Sequence, residues 1–174
     1  MNRNFFLLIL FLFGSLGVDA QKLTKTEKKI LSTVAANNQE ALEFLEAVVN
    51  MNSGTMNLDG VRQVGNEFDI KFKAIGFETR WSEMPEEMNR AGHLFGEIKG
   101  SKGKRLLLIG HLDTVFEKDS PFQKWQEQDS IAFGPGTEDM KGGNVIMLYA
   151  LKALRAQGLL KNTQIIVALH GDEE

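Results

Sequence analysis

Apolar residues recur at helical spacing from residue 24 to about residue 50. Ile30, Val34, Ala41, Leu45 and Val48 form the stripe, with lysines and glutamates between them. A polar helix with one apolar stripe is predicted to lie on a core. "NSGT" at 52–55 ends that pattern. A second helical stripe runs from Leu58 to Ile75 through Val61, Phe68 and Phe72, and Gly76 stands where a C-terminal cap is expected. "FETRW" (77–81) and "HLFGEIKG" (93–100) read as strands, separated by the loop "MPEEMNRAG", and "SKGK" reads as a turn.

The pattern then changes. "RLLLIGHLD" places four apolar residues in a row before a glycine and polar residues, and "TQIIVALH" (163–170) has the same form. Continuous apolar runs of this length predict strands buried on both faces. Between them, about 140–157, lies a third helix with Met147, Leu151 and Leu154 on one face and Asn144, Lys152 and Arg155 polar, closed by Gly158. Buried strand, helix, buried strand predicts an α/β sheet with covering helices. In such sheets chemistry gathers beyond the carboxyl ends of the strands.

The first twenty residues stand apart. "MNRN" carries Arg3, "FFLLILFLFGSLGV" has no charge, and Val18 and Ala20 are small residues ahead of a cleavage point. This order predicts a secretory signal at 1–20, and the apolar stretch is short of the roughly 20 residues that span a bilayer. The mature chain, 21–174, is then exported to a periplasm or secreted without a stable membrane anchor. The chain has 174 residues, a net charge of −3 and no cysteine. Disulfides and thiolate metal sites are excluded, and nucleic-acid binding has no electrostatic support. A metal here must be held by His, Asp or Glu, which suits zinc, cobalt or manganese.

Three clusters carry chemistry. In "GHLDTVF", His111 and Asp113 are two apart, so an extended backbone sends both side chains to one side. A carboxylate beside a metal-binding imidazole accepts the proton of its other nitrogen and makes the ligand more basic; a strand-end His beside a loop acid is the plainer alternative. In "GPGTEDMKGGN", Asp139 precedes a helix, either as an ordinary cap or as a bridge between two metal ions. Phosphate binding by this glycine-rich loop is disfavoured by Glu138 and Asp139 and by its spacing. In "LHGDEE", Asp172, Glu173 and Glu174 follow a strand directly. A solvated turn tolerates three adjacent acids. A cation relieves their repulsion and lets one glutamate bind metal while the other acts as general base.

The three motifs, in this order, resemble the co-catalytic zinc peptidases and amidohydrolases. That family includes glutamate carboxypeptidase, aminoacylase, acetylornithine deacetylase and succinyl-diaminopimelate desuccinylase. "GPG" before the acid and the exported form look most like the glutamate carboxypeptidase branch. The resemblance covers about residues 24–174. It implies a phosphorylase/hydrolase-like α/β sheet with covering helices, here the N-terminal part of a catalytic domain. It implies that His111 binds one zinc, Asp113 orients it, Asp139 bridges two zincs, Glu173 is the general base and Glu174 binds the second zinc.

The implied reaction is hydrolysis of a peptide or N-acyl amide bond, carboxypeptidase-like, on a small peptide or N-acyl amino acid. The family pattern continues past the double glutamate with a further acidic ligand, a lid domain that often makes a homodimer, and a distant histidine. His93 and His170 precede the double glutamate, do not match that histidine, and read as structural. The 174 residues are therefore expected to be the first half of an enzyme. Alone they are expected to bind metal weakly, lack useful activity and expose an edge at the final strand. The alternatives are an exported non-enzymatic binding protein or a decayed remnant of the fold.

Overall fold

The computed structural model describes residues 22–174, so the signal expected at 1–20 lies outside the described residues. Three helices come first: α1 (Lys25–Ala36), α2 (Asn38–Val49) and α3 (Leu58–Ala74). Strands β1 (Glu78–Ser82), β2 (His93–Ile98) and β3 (Lys102–His111) follow. A small hairpin of β4 (Gln126–Gln128) and β5 (Ile131–Phe133), helix α4 (Lys141–Ala156) and β6 (Thr163–His170) complete the order. Among the described residues no helix is long and apolar enough to cross a membrane.

The single helix expected over 24–50 is two. Thr24 opens α1 with a reciprocal capping box to Glu27, which satisfies two otherwise orphan donors. Asn37 closes it, its side-chain amide donating to the Thr33 carbonyl at 2.7 Å. The break re-aims the chain so that both α1 and α2 pack on α4. Helix α3 keeps the expected stripe and buries Val61, Val64, Phe68 and Phe72. Gly76 follows it at φ +89°, a backbone conformation that side chains with a Cβ rarely adopt.

The main sheet runs β1-β2-β6-β3. β1 pairs antiparallel with β2, β2 antiparallel with β6, and β3 parallel with β6. It is a mixed α/β sheet with helices packed against it. The core joins α2, α3, α4 and the sheet. Phe44, Phe68, Phe72 and Phe77 form a chain of aromatic contacts, with ring centroids 5.2, 6.4 and 5.4 Å apart in that order. Burying each such side chain stabilises the fold by about 1.5–3 kcal/mol.

Two expectations about the apolar strands need correction. β6 is largely buried, but β3 is not: Leu106, Leu107 and Ile109 are 48%, 54% and 61% exposed. Among the described residues β3 is the last strand of its sheet, with no strand partner on one side. The sheet's edges are therefore β1 and β3, not the final strand, which sits between β2 and β3.

The topology has one consequence for chemistry. β3 and β6 run parallel, so their carboxyl ends share a rim, with His111 opposite His170. β2 runs the other way and begins at that rim with His93, next to the Leu94–Leu169 pair. All three histidines of the chain thus lie on one edge of the sheet, where "GDEE" also ends.

Candidate metal centre

His111 ends β3 with its ring buried, and its neighbours hold it from both sides. The Asn144 side-chain amide, on the first turn of α4, donates to the His111 carbonyl at 2.6 Å. That approach is close: a Cβ on Gly110 would lie 2.2 Å from Asn144 Oδ1, so the glycine is required there. Beyond the strand, Leu112 N–H donates to the His170 carbonyl at 2.6 Å and Thr114 N–H to the Ser53 carbonyl at 2.9 Å. The Ser53 hydroxyl donates to the Leu112 carbonyl at 2.8 Å. These bonds carry the order of the β3 end into the loop that holds Asp113.

Asp113 is completely buried. Its Oδ2 accepts from the Thr55 hydroxyl at 2.8 Å and from the Glu174 N–H at 3.1 Å. His111 Nδ1 lies 3.1 Å from the Asp113 carbonyl oxygen and 3.5 Å from Oδ1. The longer contact leaves Oδ1 without a full hydrogen bond. Burial pushes the Asp113 pKa up, but His111, Thr55 and the Glu173 and Glu174 amides outweigh it and hold the group below its usual range. Asp113 is thus an anion inside the protein, kept so by the donors at Oδ2 and the His111 ring alongside.

The other nitrogen of His111 faces outward. Nε2 lies 2.9 Å from Asp139 Oδ1 and 3.9 Å from Glu173 Oε2. Burial disfavours the charged ring, yet hydrogen bonds to Asp113 and Asp139 prevail and raise its pKa to about 9. Asp139 sits just before α4, and its side chain is 76% exposed; no hydrogen bond makes it a helix cap. The Asp139–Met140 peptide is cis. Glu174 has its pKa raised, by burial first and then by the nearby Asp139, Glu173 and Asp113 carboxylates, against a pull from His111.

His111, Asp139 and Glu174 each offer a ligand atom, all within 4.8 Å of one another. The donor set fits a divalent cation: an imidazole nitrogen turned outward, its other nitrogen held by a buried carboxylate, and acids crowded enough to repel one another. Asp113 and Glu173 lie beside this cluster, so the fold brings five residues singled out in the sequence to the same rim.

Four supporting residues gave weaker signals. Thr55 and Ser53 lie in "NSGT", which reads only as a helix break. Asn144 reads as a polar position on α4 but is completely buried. Lys141 is also completely buried and donates to the Val48 and Met51 carbonyls, both at 2.9 Å. It thereby ties the start of α4 to the end of α2. Burial lowers its pKa to about 7. The clue was its setting between Met140 and two glycines, where backbone can close around it: a Cβ on Gly142 would lie 2.2 Å from the Thr137 carbonyl oxygen.

Residues 107–174, from β3 to the last glutamate, match the model of peptidase family M20/M25/M40. Over that stretch the chain is similar to members of that family. It is 35% identical over 157 residues to carboxypeptidase G2 of Pseudomonas sp. (strain RS-16), covering 87% of this chain and 37% of the relative. It is 34% identical over 107 residues to acetylornithine deacetylase of Salmonella arizonae, covering 59% of this chain and 27% of that one. Among solved structures, human carnosine dipeptidase 1 superposes with a TM-score of 0.69 at 17% identity, over 83% of this chain and 34% of that one; this likeness concerns the fold. The chain spans about a third of the length of the curated relatives it matches.

Proposed function

We propose that these residues are the N-terminal part of the catalytic domain of an exported, metal-dependent hydrolase. It cleaves a peptide or N-acyl amide bond, in the manner of a carboxypeptidase. The carrying observation is the convergence of His111, Asp139 and Glu174 within 4.8 Å, with Glu173 beside them. The similarity to carboxypeptidase G2 and acetylornithine deacetylase supports the substrate class, a small peptide or an acylated amino acid.

In this reading His111, Asp139 and Glu174 would hold the zinc. Bound there, zinc supplies a Lewis acid that polarises a carbonyl and makes water acidic near neutral pH. Asp113 keeps the His111 ring in the tautomer with its proton on Nδ1, so Nε2 keeps its lone pair for the metal. Thr55 and the Glu174 amide in turn keep Asp113 ionised and fixed. Glu173, exposed and not needed as a ligand, takes the proton of the attacking water and returns it to the departing amine. Asp139 and Glu174, on separate elements, set the gap in which the amide must sit.

The relatives are more than twice as long. The activity is accordingly that of the protein in which these residues join the remainder of a metal shell, with the lid and dimer interface supplied there. Without that remainder the isolated 174 residues are expected to hydrolyse nothing. The test is hydrolysis of a panel of dipeptides and N-acyl amino acids by the zinc-loaded complete protein. Glu173→Gln should lower kcat by about 10²–10⁴-fold with zinc content unchanged. Equal rates in variant and parent would sink the assignment of the base; no hydrolysis of any panel member by the parent would sink the function.

A further inference from the structure

Only one of the three rim histidines enters the centre described above. The other two meet across the β2–β6 pair: the rings of His93 and His170 have centroids 4.8 Å apart, inclined at 52°. Asp172, in the turn after β6, adds a carboxylate whose Oδ1 lies 3.7 Å from His93 Nδ1. The three residues each offer a ligand atom, all within 4.8 Å of one another, and all three are half-buried. None of them belongs to the His111 cluster.

The protons are placed as a metal site requires. Gly171 N–H donates to His93 Nδ1 at 3.3 Å, so that nitrogen carries the lone pair and faces Asp172. The proton is then on Nε2, 3.1 Å from the Met84 sulfur. An inner nitrogen that carries the lone pair and an outer N–H held by an acceptor is how a metal-binding histidine is oriented. Ligand atoms around a tetrahedral zinc with bonds of 2.0–2.1 Å stand about 3.3–3.4 Å apart. The 3.7 Å between His93 and Asp172 needs only a small contraction, and the long Gly171 contact is easily exchanged. The Asp172 side chain is 21% exposed, which leaves an open side for water as fourth ligand.

We propose that His93, His170 and Asp172 form a further metal site, for one zinc-like divalent cation, distinct from the His111–Asp139–Glu174 centre. Two imidazoles and one carboxylate suit zinc better than magnesium or calcium, which prefer all-oxygen shells. An ion here would tie the start of β2 to the turn after β6. Glu173 and Glu174 come next in the chain, so the site would act as a clamp on the segment that presents them. The proposal does not depend on the hydrolase reading, because the two ligand sets share no residue.

The test is equilibrium dialysis of the chain against buffered zinc, with bound metal measured by mass spectrometry. His111→Asn and Glu174→Gln are both introduced to disable the other centre. One zinc per chain is expected to remain, and adding His170→Asn should weaken it by more than about 100-fold, beyond the cost of losing an outer-sphere partner. No bound zinc in the double variant, or zinc unaffected by His170→Asn, would overturn the site. If a variant fails to fold, nitrogen NMR of the unmutated chain decides. Zinc should shift the ring nitrogens of His93 and His170, and unmoved resonances at saturating zinc would likewise overturn it.

Discussion

Asp113 and Asp139 flank the same imidazole from opposite sides and live in opposite worlds. Asp113 has no exposed surface and takes hydrogen bonds from Thr55 and the Glu174 amide, with the His111 ring alongside. Asp139 is 76% exposed and meets the ring at 2.9 Å. The inner half of the centre is thus part of the fold, and the outer half is hung on it. An inner residue removed should cost stability first. An outer residue removed should cost metal and leave the fold alone.

The sharpest test is Asp113→Ala. It leaves the His111 ring without its buried counter-charge and Thr55 and the Glu174 amide without their acceptor. Removing one partner of a buried, hydrogen-bonded charge pair costs about 3–5 kcal/mol. Urea denaturation of the metal-free chain should show a loss of that size. A loss below about 1 kcal/mol would mean that Asp113 is not built into the core, and the contrast with Asp139 would fail.

A second test uses pH. The His111 pKa is raised from 6.5 to about 9 in the metal-free fold. Its contribution to stability is therefore complete below pH 6.5 and lost as pH rises to 9. At 1.36 kcal/mol per pKa unit the contribution is on the order of 3 kcal/mol, trimmed by solvent screening at the exposed Asp139. Lys141 works with the opposite sign over part of the same range. Burial lowers its pKa to about 7, so its penalty is full below pH 7 and relieved as pH rises towards 10.5. The two separate in a difference curve. The stability of the parent minus that of His111→Asn should shrink from pH 6.5 to 9, while Lys141 cancels. A flat difference would remove the charged ring from the account of the inner half.

What the sequence revealed of this arrangement follows a different divide, between short motifs and their distant supports. His111, Asp113 and the outer acids could be read because they stand in short local patterns at strand and helix ends, where residue type and spacing carry the signal. Helix α3, α4 and the apolar strands could be read from periodicity for the same reason. The inner supports could not. Thr55 reaches Asp113 across 58 positions, and Asn144 reaches the His111 carbonyl across 33. Nothing in "NSGT" or on the polar face of α4 announces a partner so distant. β3 failed differently: an apolar run reports what a strand can bury, and its neighbours decide what it does bury. With β6 on one side and, among the described residues, no strand on the other, Leu107 and Ile109 stay exposed.

A smaller effect tests the links inside the inner half. Thr55→Val keeps the shape of the side chain and removes one donor from Asp113 Oδ2. The Glu174 amide remains, so the anion is weakened and not orphaned. The expected loss is about 1–2 kcal/mol, measured by urea denaturation. The same substitution should weaken zinc binding by about 10-fold, since outer-sphere partners tune the ligand they orient. A stability loss with unchanged zinc affinity would confine Thr55 to the fold.

The smallest expected effect divides the outer half itself. Glu173 and Glu174 are adjacent and both exposed, so Glu173→Gln and Glu174→Gln should each change stability by no more than about 0.5 kcal/mol. Their effects on metal should differ. Glu174 shares a 4.8 Å cluster with His111 and Asp139, and its pKa is raised, by burial first and then by neighbouring carboxylates whose repulsion a cation would relieve. Glu174→Gln should therefore weaken zinc binding to the His111 cluster by at least about 10-fold, the smaller cost of disturbing a metal site. Glu173→Gln should leave that affinity within a factor of about two, since the Glu173 side chain, 3.9 Å from Nε2, is 60% exposed and exposed ion pairs are worth little. The readout is zinc competition against a chromophoric chelator in a His170→Asn background, which removes the neighbouring cluster. Equal losses from the two variants would make both glutamates ligands and leave the centre without a free base. Equal indifference would detach Glu174 from the metal and return the pair to a solvated acidic turn.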